Sequence, residues 1–368
     1  MDNRIWKRFE KLSKIDSISF LEREFCDTLK AELEELGIET YEDNVGEKIQ
    51  GNSGNLFGFV TGTTDKPPFL LSAHMDTVEP GNGVEAIIDR NGIITSAGDT
   101  ILGADDLSGI VIIIETIQRL KEQNIPHRPL ELMFTVAEER FCLGSAHGDY
   151  SKITAKEAYT FDLGGPTGSA SNAAPTIMSF EITVHGKAAH AGFAPEQGVH
   201  AIKTTANAVA RLPLGKPEAG ISLNVGKISG GSATNIVPNR CEVVGEIRGD
   251  VHEATLKYWD IVQNIFEEET KKTGATFDAK KNVAVKAYNT PLDSPVIRRF
   301  EKACEKLGVK PNIVATLGGS DQNNYALHGI EGIVVAGSMY EVHGTSEYAK
   351  LDEMEKAVEL LTAIILDD

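Results

Sequence analysis

Basic residues are in short supply. The chain has 36 lysines and arginines against 54 aspartates and glutamates, a net charge of −18. That balance excludes a general nucleic-acid binder or a binder of anionic membranes, since both present basic surfaces. Cysteine is scarce too. Cys26, Cys142, Cys241 and Cys304 are scattered with no CxxC pair, which excludes a zinc knot or a disulfide framework and leaves reduced, buried thiols. No apolar run approaches the ~18 residues of a membrane span. The opening MDNRIWKRFE lacks the apolar core of a signal peptide. The expectation is a cytoplasmic protein that engages neither nucleic acid nor membrane. What is present, 41% hydrophobic and 24% charged residues, is ordinary for a globular protein. A length of 368 residues favours two domains.

Leu21, Phe25, Leu29, Leu33 and Leu36 recur at helical spacing, and Gly37 ends the pattern. PPFLLSAHMDTV reads as a buried strand, GIVIIIETIQRLKEQ as a buried helix, and LELMFTV and EAYTFDLGG as further strands. Apolar strands alternating with helices predict an α/β domain with a mostly parallel sheet. Near residue 176 the texture changes. Met178, Phe180, Ile182 and Val184 alternate with polar partners, as do Cys241, Val243, Gly245 and Ile247; such alternation predicts a sheet with one wet face. Val199, Ile202, Ala206 and Val209 mark a helix between those strands, and a second helix runs from about 251 to 272. The order β-α-β-β-α-β is the ferredoxin-like pattern. After KAYNTPLDSP the first texture returns. One α/β domain, 1–175 with 288–368, is therefore interrupted by a small α+β domain, 176–287.

Open α/β sheets place ligands at the carboxyl ends of their strands. His74 and Asp76 follow FLLSA, Glu138 and Glu139 follow LELMFTVA, Asp162 follows AYTF, and His343 comes shortly after GIVVAGSMYEV. Asp105 and Asp106 precede the buried helix. Each has an ordinary reading alone: a structural histidine, a solvated acid pair, a helix cap. Their convergence at one sheet edge is what carries weight. Imidazoles with carboxylates form a ligand set for Zn²⁺, Co²⁺ or Mn²⁺. Residues i and i+2 of a strand share a face, so Asp76 can reach the spare ring nitrogen of His74 and fix its tautomer.

SAHMDTV, GADDLSG, TVAEERFCLGS, FDLGG and EVHG occur in the order seen in the peptidase T, carboxypeptidase G and aminoacylase family of dinuclear zinc peptidases. HGKAAHAGFAPEQGVHAI and GGSATNIVPNRCEVVGEIR resemble the lid or dimerisation domain of its peptidase T-like branch, and LGGSDQNNYALHGI resembles a loop of that branch. The resemblance spans essentially the whole chain. It implies a zinc-exopeptidase catalytic domain of mostly parallel sheet, with an inserted ferredoxin-like α+β lid/dimerisation domain. It also implies two divalent metal ions, zinc first, with cobalt or manganese as alternatives. His74 and Asp162 would hold one, Glu139 and His343 the other, and Asp105 both; Asp76 would orient His74. Glu138 would be the general base. Asp106, the other half of GADD, is left as a helix cap.

In the inserted domain the resemblance points to His190 as a group that touches substrate or oxyanion, across a dimer interface in the homodimer it implies. Asn235 and Arg248 would grip a substrate carboxylate, for which arginine is a natural bidentate partner. His185 and His200 read as structural, and Gly318, Gly319 and Asp321 as a loop lining the pocket. The implied activity is hydrolysis of short peptides by an aminopeptidase or tripeptidase. A carboxypeptidase or N-acyl amino acid deacylase on the same metal core is the alternative. A non-catalytic binding protein would require a missing base or ligand, and none is missing.

Overall fold

The computed structural model describes residues 3–367. The chain divides into two compact units: Ala174–Tyr288, and the described residues on either side of it.

The larger unit is built on a nine-stranded sheet. Its centre is parallel. Phe69–His74 lies between Leu130–Thr135 and Glu157–Leu163, and Glu331–Ala336 pairs with the last of these. All six residues of Phe69–His74 and of Leu130–Thr135 are buried, as expected for parallel strands covered on both faces. Antiparallel strands finish the edges: Leu56–Val60 then Glu39–Glu42 on one side, Ser169–Ala174 on the other. Asn312–Ala315 runs parallel to Ser169–Ala174.

The helix Ala104–Glu122 is apolar nearly all round, with Ile110, Ile112, Ile113 and Ile114 fully buried. Such a helix belongs in the interior, and it packs against the central strand and against the helices Arg4–Ser13 and Leu351–Leu366. Beyond its first turn it buries one carboxylate, Glu115, which is neutralised by Arg4, Arg8 and Arg119. Sequence reading did not find the helix Arg4–Ser13, nor the small sheet made by Ala86–Ile88, Ile93–Ser96, Met339–Tyr340 and Tyr348–Lys350. Strands of two to four residues are too short for a periodic signal. Leu21, placed in the second helix by its spacing, precedes the helix Arg23–Glu35 and is exposed.

The smaller unit is an antiparallel sheet with two helices. Its five strands run in the order Gly215–Glu218, Ile221–Gly230, Arg240–Gly249, Thr176–His185, Thr276–Val285. The helices Ala201–Arg211 and His252–Thr273 pack against that sheet. Met178, Phe180, Ile182 and Val184 are buried on one face, as alternation predicts, beside Cys241, Val243 and Ile247. The buried face of Ala201–Arg211 differs from the predicted one. It runs through Ala201, Thr204, Thr205 and Ala208, with Ala206 outside. Threonine hides this face from a polarity pattern because its hydroxyl can bond back into the helix, as Thr204 Oγ1 does to the His200 carbonyl at 3.2 Å.

Candidate metal centre

The carboxyl ends of the three central strands meet the start of the buried helix. His74 is the last residue of its strand, and Asp162 the second-last of Glu157–Leu163. Glu138 and Glu139 sit in a one-turn 3₁₀ helix just past Leu130–Thr135. Asp105 lies in the non-helical first turn of Ala104–Glu122, where the Asp105–Asp106 peptide is cis. His343 follows Met339–Tyr340 in a left-handed backbone conformation, φ +66°.

Asp105 is the hub. Its Oδ1 lies 3.2 Å from His74 Nε2, and its Oδ2 lies 3.2 Å from His343 Nε2. His343 Nε2 is also 2.9 Å from Glu139 Oε1, and His74 Nε2 is 3.9 Å from Asp162 Oδ1. One carboxylate thus turns an oxygen toward each of two imidazoles, and each imidazole has a second carboxylate beside it. Donor atoms around a tetrahedral ion with bonds of ~2.0–2.2 Å stand about 3.3–3.6 Å apart; the observed separations, from 2.9 to 3.9 Å, lie on either side of that range, and the imidazole and carboxylate donors suit divalent cations. His74, Glu138 and Asp162 form one such ligand-capable group, and His74, Asp105 and Glu139 another. His74 is buried, while His343 is half-exposed, so the cluster opens to solvent on the His343 side.

Charge is concentrated. Burial raises Glu138 and Asp162 well above the usual carboxylate range, and neighbouring carboxylates push the same way. Burial works against ionisation of Asp105 as well, but the His343 and His74 rings bonded to it hold its carboxyl below its ordinary value. Burial alone would lower the His74 imidazolium; Asp105 and the surrounding acids raise it well above its ordinary value. Such a constellation binds protons tightly where a cation would otherwise balance it.

The supports differ from the expected ones in one respect. The Asp76 carboxylate does not hold the His74 ring: His74 Nδ1 bonds the Asp76 backbone carbonyl at 2.8 Å, and the nearer carboxylate oxygen is 3.7 Å away. Asp76 Oδ1 instead accepts the Glu138 amide at 2.8 Å, and Oδ2 accepts the Glu139 amide at 3.2 Å and the Ser19 hydroxyl at 2.7 Å. The backbone carbonyl is the closer acceptor because the chain leaves the strand after His74. Asp106 caps the helix as expected, its Oδ1 accepting the Gly109 amide, and its Oδ2 also takes the His74 amide.

Sequence reading missed three groups. Glu347 Oε2 accepts the Leu102 and Gly103 amides and its Oε1 the Asp105 amide, all within 3.0 Å. Burial pushes its carboxyl up to about 7. Glu22 Oε1 accepts the amides of Phe20 and Ala137 at 2.8 and 3.0 Å. Cys142 donates its thiol proton to Glu138 Oε1 at 3.1 Å. No short motif marks the contacts of Glu347 or the Glu22–Ala137 contact, which join distant segments. Gly318, Gly319 and Asp321, expected as one pocket-lining loop, separate. Asp321 is the buried first residue of a short helix and accepts the Thr135 and Ser145 hydroxyls, while Gly318 is exposed.

The remaining candidates belong to the smaller unit. His190 and Asn235 lie on neighbouring segments, joined by the Ala191 amide to the Asn235 carbonyl at 2.9 Å. Both are exposed. His190 Nδ1 accepts the Gly192 and Phe193 amides at 3.2 Å, and its ring lies 4.4 Å from that of Phe193. Arg248 lies elsewhere in this unit, on Arg240–Gly249, and its Nε donates to Glu246 Oε1 at 2.6 Å. His185 pairs with Asp278 at 2.9 Å, and His200 caps its helix through the Lys203 amide.

A parallel α/β sheet that gathers imidazoles and carboxylates at its carboxyl edge is the architecture of a metal-binding hydrolase. Comparison with known proteins narrows this. A profile of the M20 peptidase dimerisation domain matches residues 172–274, and one of peptidase family M28 matches 55–194, the stretch from before His74 to beyond Asp162. An uncharacterised protein, YqjE, of Bacillus subtilis is 34% identical over 99% of this chain and 98% of its own length. The crystal structure of aminopeptidase PepT from Bacillus cereus is 37% identical with a TM-score of 0.94, covering 98% of this chain and 97% of that one. A tripeptidase structure from Staphylococcus aureus is 29% identical with a TM-score of 0.95 at the same coverage. The chain belongs to the peptidase T-like branch of the M20 peptidases.

Proposed function

We propose that the protein is a metal-dependent aminopeptidase of short peptides, tripeptides first, working at a two-metal centre. The observation that carries this reading is Asp105, with one oxygen 3.2 Å from each of two imidazoles. In this reading Asp105 joins the two metal positions, His74 and Asp162 complete one, and Glu139 and His343 complete the other. Zinc is the proposed metal, with cobalt or manganese compatible with the same donors. Two such ions supply Lewis-acid chemistry, acidifying water and polarising a carbonyl.

The chain's own groups do the rest. Glu138 takes the proton of the attacking water and hands it to the leaving amine. In the metal-free protein burial and neighbouring carboxylates make its carboxyl hold a proton more readily than an exposed glutamate. Asp76 keeps Glu138 and Glu139 in place through their amides. His190, Asn235 and Arg248 are proposed to contact substrate, the last two through a carboxylate. The smaller unit, at 176–287 in this reading, serves as lid and homodimer contact, and 1–175 with 288–368 is the catalytic part. All four cysteines are unpaired and buried, in keeping with a reducing cytoplasm; among the described residues no helix is long and apolar enough to cross a membrane.

A panel of di-, tri- and N-acylated peptides tests the substrate class. Cleavage of free tripeptides from the amino end is expected, and release of only C-terminal residues or acyl groups would overturn the assignment. Sedimentation is expected to give twice 39.8 kDa; a monomer would remove the dimer.

A further inference from the structure

We propose that Glu22 is a positioning residue for the reaction: its carboxyl group fixes the peptide on which Glu138 and Glu139 are mounted. The inference rests on the metallopeptidase reading above. Three successive amides, those of Ala137, Glu138 and Glu139, are each held by a carboxylate oxygen. Asp76 takes the second and third, at 2.8 and 3.2 Å. Glu22 Oε1 takes the first, at 3.0 Å. Ala137 sits at φ +50°, and Phe141 and Cys142 follow at +66° and +55°. Residues with a Cβ populate that region sparsely, so the turn needs external restraint to persist. Its restraint arrives from the segment Ser19–Glu22, because Ser19 also bonds Asp76 at 2.7 Å.

The position of Glu22 in the chain sharpens the point. It stands at the N-cap of the helix Arg23–Glu35, where a carboxylate commonly accepts the first free amides, yet its side chain makes no capping bond to that helix. Instead it reaches Ala137, 115 residues on. The side chain is fully buried, and Oε2 has no hydrogen-bond partner. A buried carboxyl with an idle oxygen is costly to the fold, so stability alone gives no reason for an acid here. The bond from the Ala137 amide to Oε1 does: it fixes where the next two side chains start. Only an acceptor at that point is required, which glutamine also provides.

The test compares Glu22→Gln, which keeps the acceptor, with Glu22→Met, which keeps length and volume but removes it. Zinc-loaded protein is assayed on a tripeptide, and zinc affinity is read separately by competition with a chromophoric chelator. Glu22→Met is expected to lower kcat about 10–100-fold and weaken zinc binding about tenfold, the range for groups that orient metal ligands. KM is expected to stay within about twofold, because no substrate contact is lost. Glu22→Gln is expected to keep kcat within about threefold of the parent. Parent-like kcat and zinc affinity in Glu22→Met would overturn the proposal, as would a Gln variant as impaired as the Met variant. If Glu22→Met does not fold, Glu22→Asp takes its place. Its carboxyl falls one methylene short of Ala137, so the same kcat loss is expected, and parent-like kcat would overturn the proposal. If the parent cleaves no tripeptide, the metallopeptidase reading fails, while the chelator competition still tests Glu22.

Discussion

The two units hold their chemically active side chains in opposite ways. In the larger unit, Asp76, Asp105, Asp106, Glu138 and His74 are buried, and their atoms are tied to named amides, hydroxyls and rings. In the smaller unit His190 and Asn235 are exposed, and Arg248 is engaged with a neighbouring glutamate. Burial excludes water and removes freedom, so the first set is organised before any ligand arrives. The second set remains adaptable, which suits groups that recognise peptides of differing side chains. In the proposed reading, chemistry and recognition are thus divided between a rigid sheet edge and an exposed surface.

Experiments can break that division. Stripping metal with a chelator is expected to abolish hydrolysis and readdition of zinc to restore it; full activity after verified removal would end the two-metal reading. Glu138→Ala is expected to keep its metals by elemental analysis while kcat falls at least about a hundredfold; metal loss would move Glu138 among the ligands. Asp76→Asn leaves one amide facing an NH₂ group instead of an acceptor, so a fall of ~10–100-fold in activity is expected together with weaker metal binding. His190→Ala is expected to lower kcat/KM about tenfold with metal content unchanged; a change in metal content would show that the two sets are coupled.

The smallest effect concerns stability. In the metal-free protein Asp76, Glu22 and Glu347 have carboxyls raised by burial to about 6, 7 and 7. Side-chain bonds to Asp105 and Glu139 raise the His343 imidazolium to about 10. In each case the folded state holds its proton to higher pH than the unfolded chain does, so stability falls as pH rises. For the acids this window runs from about 4 to 7, and for His343 from about 6.5 to 10. Melting curves of metal-free protein are therefore expected to shift to lower temperature between pH 5 and pH 8, and zinc is expected to reverse the shift. A melting temperature that rises over that range would contradict the charge distribution.

Much of the architecture is legible in the sequence because the relevant signals are local. FLLSAH and LELMFT are apolar runs that only a doubly covered strand can bury, and the alternation Met178, Phe180, Ile182, Val184 fixes one face of the second sheet. The candidate centre is legible to the extent that ionisable residues follow apolar strands. Its supports are not. Nothing near Glu22 or Glu347 in the chain indicates an amide more than a hundred residues away. Asp76 illustrates the limit: its spacing from His74 correctly places the two side by side, but which atoms of Asp76 face the ring depends on how the chain turns after the strand.

The Glu347 contact has a consequence in time as well as in space. Its bond to Gly103 spans 244 residues, and His343 lies only four residues before it. A growing chain displays His74, Asp105, Glu138, Glu139 and Asp162 long before either of these is made. The brace under the Asp105 loop and the second imidazole arrive together, after all of these. An unfinished chain therefore carries much of the ligand set but cannot complete the cluster.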